Sequence, residues 1–384
     1  MLCCTDDASS VQLAFYTPVW NHGGMENNLT YQQMYRDTYS PVLDTALQQK
    51  TSRLTGLVTH LSGCRGKRME FNSRGKTEAD WREQRYEEKK PEELAYGKRA
   101  MLPVGFRHAL QFSEDDRHLR GDFSVETPQF IEEISNSFAR KLDQIVLGSV
   151  WDAVRKIWTI AQPESSIDPK TSFYNGKGLG GILGPCYTGE NLVTAETMPI
   201  LPMLKGGELA TSYDDYEGQN IDLETTNVIP AHYVRTGTPE MSGLTRGKIF
   251  AIMEALQTRY ALNPGELINL AVTPHMLWSL SEDPVFMSKE FGFQMLKDGL
   301  VNQLLQVKIV AFNNIPQVDV GDGTMVYVLP AWKTEDIYFG VWENPKMEVV
   351  KPSMSYDKYV ISGMGAAGCA RRRLDSVLSV HVAV

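Results

Sequence analysis

The chain has 384 residues, 42% apolar and 22% charged, with 38 basic against 47 acidic side chains and a net charge of -9. That balance excludes a disordered tail and a disulfide-stapled miniature, and no run approaches the ~18 apolar residues a membrane helix needs. The five cysteines (Cys3, Cys4, Cys64, Cys186, Cys369) show no CxxC spacing, which argues against a zinc site or a secreted scaffold and for synthesis in a reducing cytoplasm. The opening Met1–Asp7 lacks the basic and apolar regions of a signal peptide, and the length predicts two or three domains.

Residues 1–52 read as an arm, not a domain. Gly23-Gly24 and Asn27-Asn28 break the chain ahead of a weakly helical stretch, Thr30–Lys50, which Pro41 interrupts. Residues 53–120 hold 15 basic and 11 acidic groups, a local charge of +4 that leaves -13 on the rest, so the two parts attract each other. The strand-forming stretches 53–65 and 104–113 flank the run Trp81–Glu93, which is dense in both charges and nearly free of aliphatic side chains. Such a run cannot supply a core, so the pattern predicts a long hairpin projecting into solvent or onto another subunit. Acids nearly cancel bases there, which speaks against a nucleic-acid patch.

The clearest single element begins at Thr127-Pro128, a cap followed by a proline whose missing N–H is harmless in the first turn. Ile131, Ile134, Phe138, Leu142, Val146, Val150, Val154 and Ile157 recur at steps of three or four, predicting one helix on the order of 50 Å long. Glu132 and Glu133 then fall in its first turn and Arg155 and Lys156 near its last, as the helix dipole favours. Residues 162–241 read as irregular structure with short strands. Beyond them the patterns predict a helix at Thr245–Tyr260, a buried strand at Leu267–Thr273 and a short helix at Met276–Ser281. A helix and strand over Lys289–Phe312 follow, then strands at Met325–Leu329 and Ile337–Val341. Leu378, Val380, Val382 and Val384 alternate with Val377, Ser379, His381 and Ala383, so the chain ends inside a sheet.

Few motifs carry chemistry. Gly176–Gly181 matches the GxGxxG spacing that brings a backbone against a pyrophosphate, but no strand precedes it and Ile182–Pro185 cannot open a helix. A flexible loop is the better reading. The P-loop and GxSxG signatures are absent, and the seven histidines (His22, His60, His108, His118, His232, His275, His381) show no HxxxH or HExxH spacing. Glu114–His118 gathers acids and an imidazole that could serve acid–base work, though a polar turn ending a strand is the better reading. Asn28-Leu29-Thr30 fits a glycosylation acceptor, which means nothing without secretion. Neither a cofactor nor a metal is expected.

An arm, a charged hairpin, one long helix, a mixed α/β body and a return to sheet follow one another along the chain. That order, carried by Tyr39–Leu54, Arg99–Asp122, Ala139–Asp143 and Gly365–Val382 with Ala370-Arg371, resembles the major capsid proteins of tailed bacteriophages, the HK97-type fold. The resemblance implies an α+β fold with an N-arm (1–52), a peripheral domain (53–175) bearing an extended loop (about 66–103) and a spine helix (about 128–160), and an axial domain (176–344). Residues 345–384 would return to the peripheral domain and close its sheet.

By the same resemblance the protein is a non-enzymatic virion component, forming pentamers and hexamers of an icosahedral head around double-stranded DNA without reading its sequence. The extended loop would cross a neighbouring subunit, with Arg82, Arg85, Glu87, Glu88, Lys89 and Lys90 at the subunit interface. Scaffolding would be a separate protein, since no long charged helix precedes residue 30, and a portal is a further partner, with a decoration protein optional. No Lys–Asn pair stands out for a covalent cross-link. The alternatives are an encapsulin-like compartment and, more remotely, a cytoplasmic nucleotide-binding enzyme using Gly176–Gly181 or Glu114–His118.

Overall fold

The computed structural model describes residues 49–74, 96–113, 127–163, 178–188, 194–210, 221–235, 238, 240–259, 261–263, 265–281, 296–297, 300–301, 303–320, 323–350 and 358–383. All belong to one unit, Leu47–Val384. In chain order come strands β1 (Thr59–Leu61), β2 (Met69–Arg74), β3 (Tyr96–Met101) and β4 (Val104–Ser113), helix α1 (Thr127–Leu147), and strands β5 (Ser149–Asp152), β6 (Ile157–Ile160), β7 (Cys186–Thr188), β8 (Thr194–Glu196) and β9 (Val228–Ile229). Helix α2 (Arg246–Thr258), strand β10 (Ile268–Val272) and helix α3 (Pro274–Ser281) follow. Short strands β11 (Leu296–Lys297), β12 (Leu300–Val301), β13 (Gln303–Leu304), β14 (Val307–Ala311) and β15 (Gln317–Asp319) lead to the long strands β16 (Met325–Lys333), β17 (Ile337–Val350), β18 (Lys358–Arg371) and β19 (Val377–Ala383). No helix among the described residues is long and apolar enough to cross a membrane.

These elements make an α+β fold around two main sheets. One runs β1-β17-β18-β4, with α1 laid across it so that Ile134 and Phe138 cover Gly363 of β18, while the Phe106 ring of β4 covers Gly365 and lies 5.2 Å from that of Phe138. The other runs β13-β14-β10-β16-β19-β9, with β15 added alongside β16. At its centre β10 is buried at every position, pairing parallel with β14 and antiparallel with β16, which is why Ile268–Val272 is apolar throughout except at Asn269, whose Nδ2 donates to Thr334 Oγ1. Its neighbour β16 presents Trp332, wholly buried, whose Nε1 donates to the Leu57 carbonyl at 3.0 Å.

Three expectations are corrected. Helix α1 ends at Leu147, 21 residues and about 30 Å long, not near residue 160. Gly148 takes φ 77° and donates its N–H to the Gln144 carbonyl at 2.9 Å, stopping the helix, and the chain turns into the β5/β6 hairpin. Val150, Val154 and Ile157 therefore leave the helical face. Glu132 and Glu133 lie in its second turn, and Arg155 and Lys156 in the hairpin's turn. The stems of the charged hairpin are β2 and β3, in register from Met69 opposite Met101 to Arg74 opposite Tyr96. Of the stretches expected there, β1 and β4 occupy opposite edges of the first sheet. The C-terminal part divides: β18 joins the first sheet beside β4, whereas β19 pairs with β16 in the second. The alternation in β19 does not mark a solvent face, because Val377–Val382 are all buried. The helix expected on 30–50 and the opening of the 289–312 pattern lie largely outside the described residues, and 296–304 holds only the short strands β11, β12 and β13.

The buried end of α1 needs donors for its last carbonyls, and the 181–183 turn supplies them. Ile182 N–H donates to the Val146 carbonyl at 2.9 Å, Leu183 N–H to that of Leu147 at 3.0 Å, and Gly181 N–H to that of Cys369 at 3.0 Å. A Cβ on Gly148 would collide with the backbones of Gly180 and Gly184. Gly148→Ala combines that clash with a left-handed φ and should cost at least about 2 kcal/mol, measured by chemical denaturation.

Lys248 is buried at the start of α2 and donates Nζ to the carbonyls of Ser242 (2.8 Å), Gly243 (3.0 Å) and His381 (3.3 Å), tying β19 to that turn. Burial pulls its pKa from 10.5 down to about 7. Between those values the unfolded chain binds a proton that the folded chain does not, so this group makes stability rise with pH across the window. In Lys248→Met the rise in melting temperature from pH 7 to 10 should flatten relative to wild type.

Candidate subunit interface

The described part of the charged hairpin is its root, and it is fastened on both sides. Met101, fully buried, packs with Cys64 and Ala370 and is joined by Met69, Phe71 and Trp342. The Phe71 ring meets Tyr338 edge-on at 5.1 Å, and Trp342 Nε1 donates to the Gly66 carbonyl at 3.1 Å. From β3, Arg99 Nη2 reaches Glu196 Oε2 of β8 at 2.8 Å, a partly buried charge-assisted pair. Beneath it Arg371, the last residue of β18 and wholly buried, donates Nη1 to the Ile182 carbonyl at 2.8 Å and Nη2 to the Glu196 carbonyl at 3.0 Å. One guanidinium thus joins the first sheet, the 181–183 turn and the hairpin-root sheet β2-β3-β7-β8. The predicted interface residues Arg82, Arg85, Glu87, Glu88, Lys89 and Lys90 lie outside the described residues.

The segment leading out of the N-terminal part of the chain is held by a second buried charge. Asp143 on α1 is fully buried and accepts from Gln49 Nε2, Ser52 Oγ (2.6 Å), Arg53 N (3.1 Å) and Leu54 N (3.0 Å). Four donors from one short segment satisfy a carboxylate that would otherwise be costly to bury. Arg53 also donates Nη1 to the Ala311 carbonyl of β14 at 2.9 Å and Leu57 accepts from Trp332 of β16, so residues 49–57 tie α1 to the second sheet. The sequence signal was present in Asp143, but a lone acid in mid-helix reads as a solvated position.

The third feature was hidden inside the overlong predicted helix. In the β5/β6 hairpin Trp151 stands directly opposite Trp158, their rings edge to face at 5.3 Å. Asp152 Oδ1 accepts from Val154 N at 2.8 Å and Arg155 N at 3.2 Å, which fixes the turn. The ordered tip nevertheless exposes apolar surface: Val154 is 91% accessible, Trp151 45% and Val150 43%. A rigid projection of this kind is suited to burial against another protein surface.

The enzymatic candidates lack comparable geometry. Gly176 and Lys177 lie outside the described residues, while Gly178–Gly184 are buried, and the N–H groups of Gly181, Ile182 and Leu183 are spent on main-chain carbonyls. Those three donors are therefore not available to a pyrophosphate. Cys186 and Cys369 have their thiol pKa values raised, chiefly by burial, which makes them inert packing groups. Burial, assisted by Lys248, holds His381 down to about 3, so it is neutral. Among the described residues no cluster of His, Cys, Asp and Glu could hold a metal, and Glu114–His118 lie outside them.

Replacing Asp143 by Ala strands four donors at once. The variant should lose about 3 kcal/mol of stability and release residues 49–54 to rapid hydrogen exchange; Asp143→Asn, which turns an amide donor toward those donors, should recover little of it.

Residues 31–175 match the profile of a family described as phage capsid protein. Among curated proteins none matches the sequence. Of solved structures, the capsid of Ralstonia phage GP4 is similar at 10% identity and a TM-score of 0.53, covering 96% of this chain and 98% of that one. The capsid of cyanophage P-SCSP1u is similar at 13% identity and 0.53, over 92% and 94% of the two chains. The mature capsid of bacteriophage PhiM1 is similar at 10% and 0.54, over 90% and 91%. With the α1 spine, the fastened hairpin root and the two main sheets already in place, this chain has the fold of these phage capsids, the HK97 type.

Proposed function

We propose that the chain is the structural major capsid protein of a tailed phage, self-assembling through pentamers and hexamers into an icosahedral head around double-stranded DNA. One observation carries the reading: the capsid fold matches along nine-tenths or more of this chain and of its neighbours. The named neighbours are phage capsids, which favours a head over an encapsulin-like compartment, and the spent N–H groups of the glycine run weigh against the enzyme.

The division of the chain follows from this reading. The first sheet with α1 forms the peripheral part, the second sheet the axial part, and residues 1–52 the N-arm. The charged loop carries Arg82, Arg85, Glu87, Glu88, Lys89 and Lys90 onto the next copy, where each exposed ion pair contributes only ~0–1 kcal/mol but sets register. Repetition around a closed shell multiplies such small terms. The net charge of -9 suits a container that must release its polyanion. Scaffolding is supplied by a separate protein, with a portal at one vertex and a decoration protein as an optional addition. Synthesis takes place in the host cytoplasm.

On this reading the apolar tip of the β5/β6 hairpin is a second contact between copies. Val154→Asp should leave secondary structure and melting temperature unchanged while lowering the yield of assembled particles at least tenfold by sedimentation velocity. Reversing Arg82 and Arg85 to Glu should likewise block assembly and leave a folded monomer. Wild-type yields in both variants would contradict these roles.

A further inference from the structure

A groove of about 530 Å³ runs between α1 and the start of β4. Its floor is apolar, formed by Phe106, Phe138 and Leu179, and Arg107, Arg140 and Lys141 stand along it. Among the described residues no acidic side chain lines it, and neither Arg107 nor Lys141 has a carboxylate partner; Lys141 Nζ meets only Gln144 Oε1, at 3.2 Å. Partial burial lowers the Lys141 pKa with no carboxylate to oppose it. Arg107 and Lys141 beside an apolar floor, in a chain of net charge -9, are a local excess that calls for an acidic ligand.

The groove is concave and its floor is aromatic, which fits an acidic peptide with apolar anchors better than the smooth phosphate rail of a duplex. This chain contains one such peptide. Between Lys205 and Arg235 there are six acidic side chains and neither Lys nor Arg, and within that stretch Tyr213-Asp214-Asp215-Tyr216-Glu217 combines three acids with two aromatic rings. The other acidic runs are poorer matches, since Glu87–Glu93 is interrupted by Lys89 and Lys90, and Glu114–Asp116 is followed by Arg117 and His118. We propose that the groove between α1 and β4 receives the Tyr213–Glu217 stretch of a second copy, its tyrosines on the Phe106 and Phe138 floor and its carboxylates on Arg107, Arg140 and Lys141. The contact rests on the capsid reading for the closeness of copies. It is distinct from the charged hairpin and borders the tryptophan hairpin only at Val150.

The test uses the full chain. Copies labelled with light and heavy nitrogen are mixed, assembled and treated with a carbodiimide, which joins a touching ammonium and carboxylate. A mixed-isotope linkage from Lys141 to Asp214, Asp215 or Glu217 is expected. Particles that form normally while Lys141 couples elsewhere, within its own copy or not at all overturn the proposal and leave the capsid reading intact. If no particles form, either alone or with a scaffolding protein present, the capsid reading falls, and the groove is judged on the unassembled chain with a fluorescent peptide of residues 209–220. Saturable binding weakened at least tenfold in R107Q/K141Q supports the site; no binding, or equal binding by the variant, overturns it. A duplex oligonucleotide bound with the same dependence on Arg107 and Lys141, where the peptide is not bound, shows a phosphate site and overturns it as well.

Discussion

A helix that ends inside a protein must find donors for its last carbonyls, and here that requirement organises the molecule. Val146 and Leu147 at the end of α1 are wholly buried, so water cannot serve them. The backbone of Ile182 and Leu183 does, brought close because Gly148, Gly180 and Gly184 present no side chains to one another. The same turn is held from below by Arg371, whose guanidinium donates to Ile182 and Glu196, and from the side by Gly181 bonding to Cys369. The end of the spine, the end of β18 and the hairpin-root sheet therefore converge on a few residues. A change at any of them is felt by all three.

From that junction the projecting parts acquire stiff roots. The charged hairpin leaves through β2 and β3, gripped by the Met101 cluster and the Arg99–Glu196 pair. The tryptophan hairpin leaves directly from Gly148, its first strand following the helix without a spare residue. The segment at 49–54 is pinned to Asp143 one helical turn before the same helix end. Extended tips on rigid bases suit assembly by repetition, because each contact can be weak if its position is fixed in advance. The second sheet, deeply buried around β10 and Trp332, contributes mass and stability.

Much of this was legible in sequence, and the failures share a cause. The start of α1, the buried run of β10 and the strands β16 and β19 announce themselves through local pattern. What the pattern misses are events decided by distant residues. Val150, Val154 and Ile157 continue the helical spacing perfectly, and only Gly148, in a left-handed conformation matched to Gly180 and Gly184, ends the helix. Strand-forming residues at 53–65 and 104–113 suggested hairpin stems, yet the true stem Met69–Arg74 alternates only over Met69–Asn72, too short a pattern to stand out. The alternation in β19 is real in sequence but both of its faces are covered, and its place beside β16 is a matter of topology. Asp143 looks like a surface acid until residues 49–54, some ninety positions earlier, arrive to cover it. The order of features along the chain survived these local errors because it reflects the whole architecture.

The central proposal is that the two hairpins join copies of the chain. Electron cryomicroscopy of particles from the wild-type chain, expressed alone and then with a scaffolding protein, tests it most directly. Closed shells, tubes or ring-shaped capsomers with both hairpin tips lodged against neighbouring copies are predicted. A compact monomer under both conditions, with the tips free in solvent, would contradict the account.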